Sequence, residues 1–120
     1  MTIDLEKTTT YSGLHMVTQE VREIINRFVE AVLSRGIHVD KAILYGSYAT
    51  GKEGKDSDLD LAVISSDFGK DRYQEGAMLM KLAWRIDPRL HPVPFSAESF
   101  AHDTWIPLVH EIKTHGVVIH

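Results

Sequence analysis

The segment "LDLAVIS", Leu59 to Ser65, constrains the architecture of this chain more than any other stretch. Its first half alternates apolar and acidic residues, and its second half is almost wholly apolar. Such a segment reads as a strand whose first half has one wet face. Residues two apart on a strand point the same way, so Asp58 and Asp60 set two carboxylates on one face, roughly 6–7 Å apart. Leu59 and Leu61 then point to the opposite, core side.

The neighbouring elements follow from the same kind of reading. Val17, Val21, Ile24, Ile25, Phe28, Val29, Val32 and Leu33 fall at helical spacing, and Gly36 supplies a stop. "KAILYG", Lys41 to Gly46, is a short buried strand, and Asp71 to Ile86 is a helix weakened a little by Gly76. Pro88, Pro92 and Pro94 exclude helix in "DPRLHPVPF", whose tail suits an edge strand. "TWIPLVHEIKTHG", Thr104 to Gly116, is a short amphipathic helix, and "VVIH" a small final strand or an ordered tail. This order predicts an α+β or mixed α/β fold. The pairing of the first two strands, antiparallel or side by side, stays open at this level. Residues 1–120 are expected to form one domain, with a polar, Thr-rich and loosely held tail over 1–13.

Three motif readings compete over "YGSYATGKEGKDSDLDLAVI". The phosphate loop G-x-x-x-x-G-K-[ST] needs a hydroxyl after its Lys and a helix after the loop. Glu53 stands at the hydroxyl position, and a turn and a strand follow, so both requirements fail. A calcium loop opening with Asp56-x-Asp58-x-Asp60 needs Gly at its sixth position and Glu at its twelfth. Leu61 and Asp67 stand there instead. The third reading uses the whole stretch. Two neighbouring carboxylates repel unless a cation sits between them, and magnesium accepts carboxylate and phosphate oxygens together. Gly46 lets the backbone approach closely, and Ser47 adds a small hydroxyl for phosphate oxygens.

A Gly-Ser, ten residues and then Asp-x-Asp, Gly46-Ser47 and Asp58-Leu59-Asp60, resembles the signature of the polymerase-β-type nucleotidyltransferases. The strand "AILYG" before it, "LAVI" after it and Ser57 also match. With no large second domain, the likeness narrows to the minimal nucleotidyltransferases, including the MntA-like antitoxins of HEPN/MNT toxin–antitoxin pairs. The resemblance implies a palm-like fold, a small mixed sheet flanked by helices. It further implies that Gly46 and Ser47 hold the β- and γ-phosphates of ATP, and that Asp58 and Asp60 bind magnesium, with manganese as the alternative. In this reading Asp58, Asp60 and Ser47 are the catalytic group. The implied reaction moves an NMP, AMP from ATP, to a hydroxyl acceptor on a HEPN-type helical partner and releases pyrophosphate.

The family's third carboxylate is where this sequence departs. Its place falls in "RLHPVPF", and His91 occupies it; Asp87 and Glu98 are the nearby substitutes. Histidine suits zinc or manganese better than magnesium. The alternative expectation is therefore a binding module of weak or no activity that neutralises a helical partner by contact.

The rest of the sequence excludes other classes. A net charge of −4 argues against a broad grip on nucleic acid. No apolar run approaches the roughly 18 residues of a membrane span. The opening "MTIDLEKTTTYSG" lacks the layout of a signal peptide, and cysteine is absent, which together lead to a cytoplasmic expectation. His110 and His115 are five apart, one too many for the H-E-x-x-H zinc motif. Trp84 and Trp105 are expected to pack in the interior, Met78 and Met80 to fill a helix, and Lys52 and Lys55 to lie in a solvated loop.

Overall fold

In the computed structural model, residues 17–120 are described. The loosely held tail expected over 1–13 lies outside the described residues. Helix α1 (Gln19–Leu33) starts where the Thr18 hydroxyl accepts a 3.2 Å hydrogen bond from the Val21 amide. Such a cap contributes about 1 kcal/mol. Val21, Ile24, Ile25, Phe28, Val29 and Val32 recur every three or four residues and are buried, the apolar face that the spacing predicts. Gly36, at φ +81°, turns the chain out of the helix.

The remaining elements are β1 (Lys41–Tyr45), α2 (Ser47–Thr50), β2 (Leu59–Ser65), α3 (Arg72–Trp84), β3 (Leu90–Ser96), α4 (Ala97–His102), α5 (Pro107–His115) and β4 (Val117–Val118). Four strands form one mixed sheet in the order β3-β2-β1-β4. β1 is antiparallel to both β2 and β4, while β2 is parallel to β3. That settles the pairing that the sequence leaves open. The parallel pair needs a crossover, and α3 provides it. Pro92 and Pro94 lie two apart on β3, so both missing N–H groups fall on its unpaired side, where they cost no ladder bond.

The sheet is covered on both faces. Ala42, Leu44, Leu59, Leu61 and Val63 pack with Phe28 and Leu79 beneath α1 and α3. Ile43, Tyr45, Ala62 and Ile64 pack with Phe95, Phe100, Val109 and Ile112 beneath α4 and α5. β2 is apolar on both sides after Asp60 because this second layer covers Ala62 and Ile64. Asp60 shares their face at the wet end of the strand.

Three expectations need correction. The helix predicted from Thr104 begins at Pro107, whose fixed φ suits the first helical position. Thr104 and Trp105 form a turn instead. Residues 97–102 form α4, which the sequence reading did not assign; Ser96 caps it by accepting from the Ser99 amide. Trp84 and Trp105 are not packing residues, being 71% and 78% exposed. Trp84 lies across α3 from its buried Leu79, Leu82 and Ala83, and Trp105 stands in the turn before α5. No helix among the described residues is long and apolar enough to cross a membrane.

Phe28→Ala should lower the unfolding free energy by about 3–5 kcal/mol, seen as a reduced urea midpoint at unchanged slope. Trp84→Ala should shift it by only about 0.5 kcal/mol or less. A large loss at Trp84 would contradict its outward placement.

Candidate active site

Antiparallel register sets Tyr45, the last residue of β1, directly opposite Asp60 on β2. The chain then leaves the sheet at Gly46 with φ 77° and ψ −154°, a region that L side chains avoid. A Cβ at Gly46 would collide with Oδ2 of Asp60. The torsion angles require glycine, and a side chain there would in addition have to displace the Asp60 carboxylate. From there the chain closes into the single turn α2. The Gly46 carbonyl accepts from the Ala49 amide at 3.1 Å, and the Ser47 carbonyl accepts from Lys52 at 3.0 Å. Gly51, left-handed at φ 77°, ends the turn.

The second half of the stretch arrives from the other direction. The Ser57 hydroxyl accepts a 2.8 Å hydrogen bond from the Gly54 amide and closes the turn before β2. Asp58 follows and is exposed, while Asp60 is half-buried. Asp56, Lys52 and Lys55 lie exposed in the connecting loop, which holds no helix after Lys52. The fold therefore brings Gly46 and Ser47 to the end of the sheet where Asp58 and Asp60 emerge.

The electrostatics of this corner favour an added cation. Burial, above all, pushes the Asp60 carboxyl above its ordinary range; His91 pulls it back, and the Asp58 charge pushes it further up. Tyr45 is pushed up to about 12 by burial and then by the Asp60 charge. Asp58 and Asp60 are hard oxygen donors, and a divalent cation would offset the cost of ionising Asp60. Their chemistry fits a hard divalent cation such as magnesium or manganese. Among the described residues, however, no three His, Asp or Glu side chains are grouped so that they could hold a metal ion.

His91 stands beside Asp60 in the parallel register, with Nδ1 3.7 Å from Asp60 Oδ1. Neither substitute acid joins them. Asp87 is engaged by Arg89, whose Nε and Nη2 lie 3.1 Å from its Oδ1 and Oδ2. These side-chain hydrogen bonds hold the Asp87 carboxyl below the usual range. Glu98 is exposed on α4, past the far end of β3; the strand from His91 to Ser96 spans roughly 16 Å.

Arg89 also carries a role that sequence reasoning missed. Its Nη1 donates to the Tyr48 hydroxyl of α2 at 3.3 Å, and its carbonyl accepts from the Leu59 amide at 2.7 Å. One residue thus ties the Gly46–Thr50 turn to the start of β2. The Arg89–Tyr48 contact crosses 41 positions of chain and leaves no local signal.

With this geometry in hand, comparison with known proteins is informative. The family model described as polymerase beta, nucleotidyltransferase matches residues 28–120. No curated protein matches significantly. Among solved structures, a protein of Sulfolobus solfataricus described as a candidate nucleotidyltransferase superposes with a TM-score of 0.61 at 15% identity. That match covers 82% of this chain and 78% of the other. A mutant of the toxin–antitoxin MntA-HpeT, two aspartates changed to glutamate, gives 0.55 at 21%, covering 79% and 71%. A toxin–antitoxin structure with AMP-PNP gives 0.54 at 23%, covering 78% and 71%. At these identities the structural matches establish a shared fold.

Gly46→Ala should cost about 1–3 kcal/mol of stability. Part of that loss should return in the Gly46→Ala/Asp60→Ala double variant, where the collision is gone but the strained torsion remains. Asp60 should also make stability depend on pH. Its raised folded-state value favours the protonated form, so its contribution is full below the ordinary carboxylate range and is lost as pH rises through the higher value. Urea titrations at about pH 4 and 7 should show Asp60→Asn gaining on the native protein only at the higher pH.

Proposed function

The chain belongs to the polymerase beta nucleotidyltransferase family, and from that membership we propose that it transfers AMP from ATP to a protein hydroxyl. The acceptor in this reading is a HEPN-type helical partner in the cytoplasm, and the chain acts as its antitoxin. The observation that carries the reading is the corner itself: a Cβ on Gly46 would meet the Asp60 carboxylate, and the Asp58 charge is near enough to push that carboxyl up. That closeness supports a reading in which phosphate approaches the glycine backbone and the two carboxylates take a cation.

Each residue then has a definite task. The Gly46 backbone and the Ser47 hydroxyl receive the β- and γ-phosphate oxygens. Asp58 and Asp60 would hold magnesium or manganese, which would supply charge withdrawal from the phosphate oxygens. The acceptor hydroxyl oxygen forms a bond to the α-phosphorus and loses its proton to solvent as the bond from that phosphorus to the bridging oxygen breaks, and pyrophosphate departs with the bridging oxygen. Arg89, through Tyr48 and Leu59, keeps the phosphate side and the carboxylate side in register. Positioning of this kind is the protein's main contribution to phosphoryl chemistry. Two structural neighbours give the antitoxin reading its support. One holds AMP-PNP, and the other carries changes at two aspartates two positions apart, the spacing of Asp58 and Asp60.

A second reading is favoured by one observation: His91 stands where the family places an acid, and neither Asp87 nor Glu98 replaces it. In that reading the chain binds its partner and transfers little or nothing.

Labelled ATP, magnesium or manganese, and a neighbouring-gene HEPN protein separate the two. Transfer of label to the partner, reduced about a hundredfold or more by Asp58→Ala or Asp60→Ala, is the expected result. Inhibition of the partner without label, unchanged in the double variant, would overturn the enzyme reading. Arg89→Lys and Tyr48→Phe should raise the KM for ATP more than they lower kcat, because both act through the position of α2.

A further inference from the structure

Helix α3 is apolar on two sides, and only one of them is used. Leu79, Leu82 and Ala83 face the sheet. On the outer side, Tyr73, Ala77, Met80 and Trp84 fall at i, i+4, i+7 and i+11, a straight seam along the helix. Tyr73 is 83% and Trp84 71% exposed. Single exposed rings are ordinary, but two of them closing the ends of one apolar stripe mark a candidate contact surface.

The border of the stripe is charged in one sense. Arg35, at the end of α1, joins Gln74, Met78, Lys81 and Arg85 around a shallow groove of about 370 Å³. Its lining contains three cations and no acid, in a chain whose net charge is −4. None of the three forms an ion pair among the described residues. We infer that the outer face of α3 is a docking surface for an amphipathic helix of a partner protein with carboxylates along its edge. The heptad-like spacing fits the width of one helix, Tyr73 and Trp84 supply aromatic anchors, and Arg35, Lys81 and Arg85 select for acid. A single-stranded nucleic acid could also use rings and cations, but the overall negative charge opposes a grip on its phosphates.

This deepens the antitoxin reading by naming the surface that a partner helix would occupy. It can be tested apart from that reading, because α3 packs on the sheet face opposite to the one that Asp60 shares with Ala62 and Ile64. Trp105→Phe leaves Trp84 as the sole tryptophan and a fluorescent reporter of the seam. Two synthetic helical peptides with the same leucine face, one edged with Glu and one with Lys, serve as probes beside a single-stranded oligouridine. The Glu peptide should bind saturably and blue-shift Trp84, and the Lys peptide should bind about tenfold or more weakly. Lys81→Glu/Arg85→Glu should reverse that preference at an unchanged melting temperature, while ATP binding stays as in the parent. Asp58→Ala/Asp60→Ala should lose ATP binding and keep the peptide. Equal affinity for both peptides, binding of neither, or tighter binding of the oligouridine would overturn the proposal. So would self-association that Trp84→Ala abolishes, since the occupant would then be a second copy of this chain.

Discussion

Because β1 runs antiparallel to β2 with Tyr45 opposite Asp60, the Gly46 turn begins beside the Asp60 carboxylate rather than a strand length away. The candidate site follows from that register. Side chains on a strand alternate with period two, so a slip of one residue would turn Asp60 into the core and Leu59 and Leu61 out of it. Burial of Leu59 and Leu61 under α1 and α3 makes such a slip costly. The same apolar contacts that hold the sheet together therefore also fix where the acids stand.

The parallel partner adds a second constraint from the other edge. β3 aligns Leu90 with Leu59 and His91 with Asp60, and Arg89 just before it bonds to both Leu59 and Tyr48. The Asp87–Arg89 pair is partly buried, and its two parallel hydrogen bonds leave the guanidinium little freedom. Asp87 serves geometry here, holding the arginine that spans the site, and is not available as a ligand.

Much of this architecture was legible in the sequence, and the reason differs by element. α1 has a single dominant period, and β1 and β2 are short apolar runs bounded by turn residues, so pattern alone locates them to within a residue or two. The family was legible because Gly46-Ser47 and Asp58-Leu59-Asp60 stand at the spacing of its signature. α3 was legible as a helix, yet its tryptophan was misread, because two apolar faces look like one thick one in a linear string. α4 and the late start of α5 were missed because "AESFAH" is too short for a period, and Pro107 starts a helix as readily as it blocks one. The Arg89–Tyr48 bridge depends on tertiary contact alone.

Three ways of settling the charge at Asp60 can be ranked by their chemistry. Protonation is favoured by burial, but it would remove the acceptor that makes the Gly46 corner useful. An ion pair with His91 is available only while the imidazole is protonated, at 3.7 Å and on a side chain that is 54% exposed, where screening is strong. A divalent cation shared by Asp58 and Asp60 would offset both their mutual repulsion and the burial of Asp60. The first two remedies each act on one carboxylate, and the third acts on the pair. Of the three, only a shared cation would relieve both the burial of Asp60 and the Asp58 charge that raises its carboxyl further.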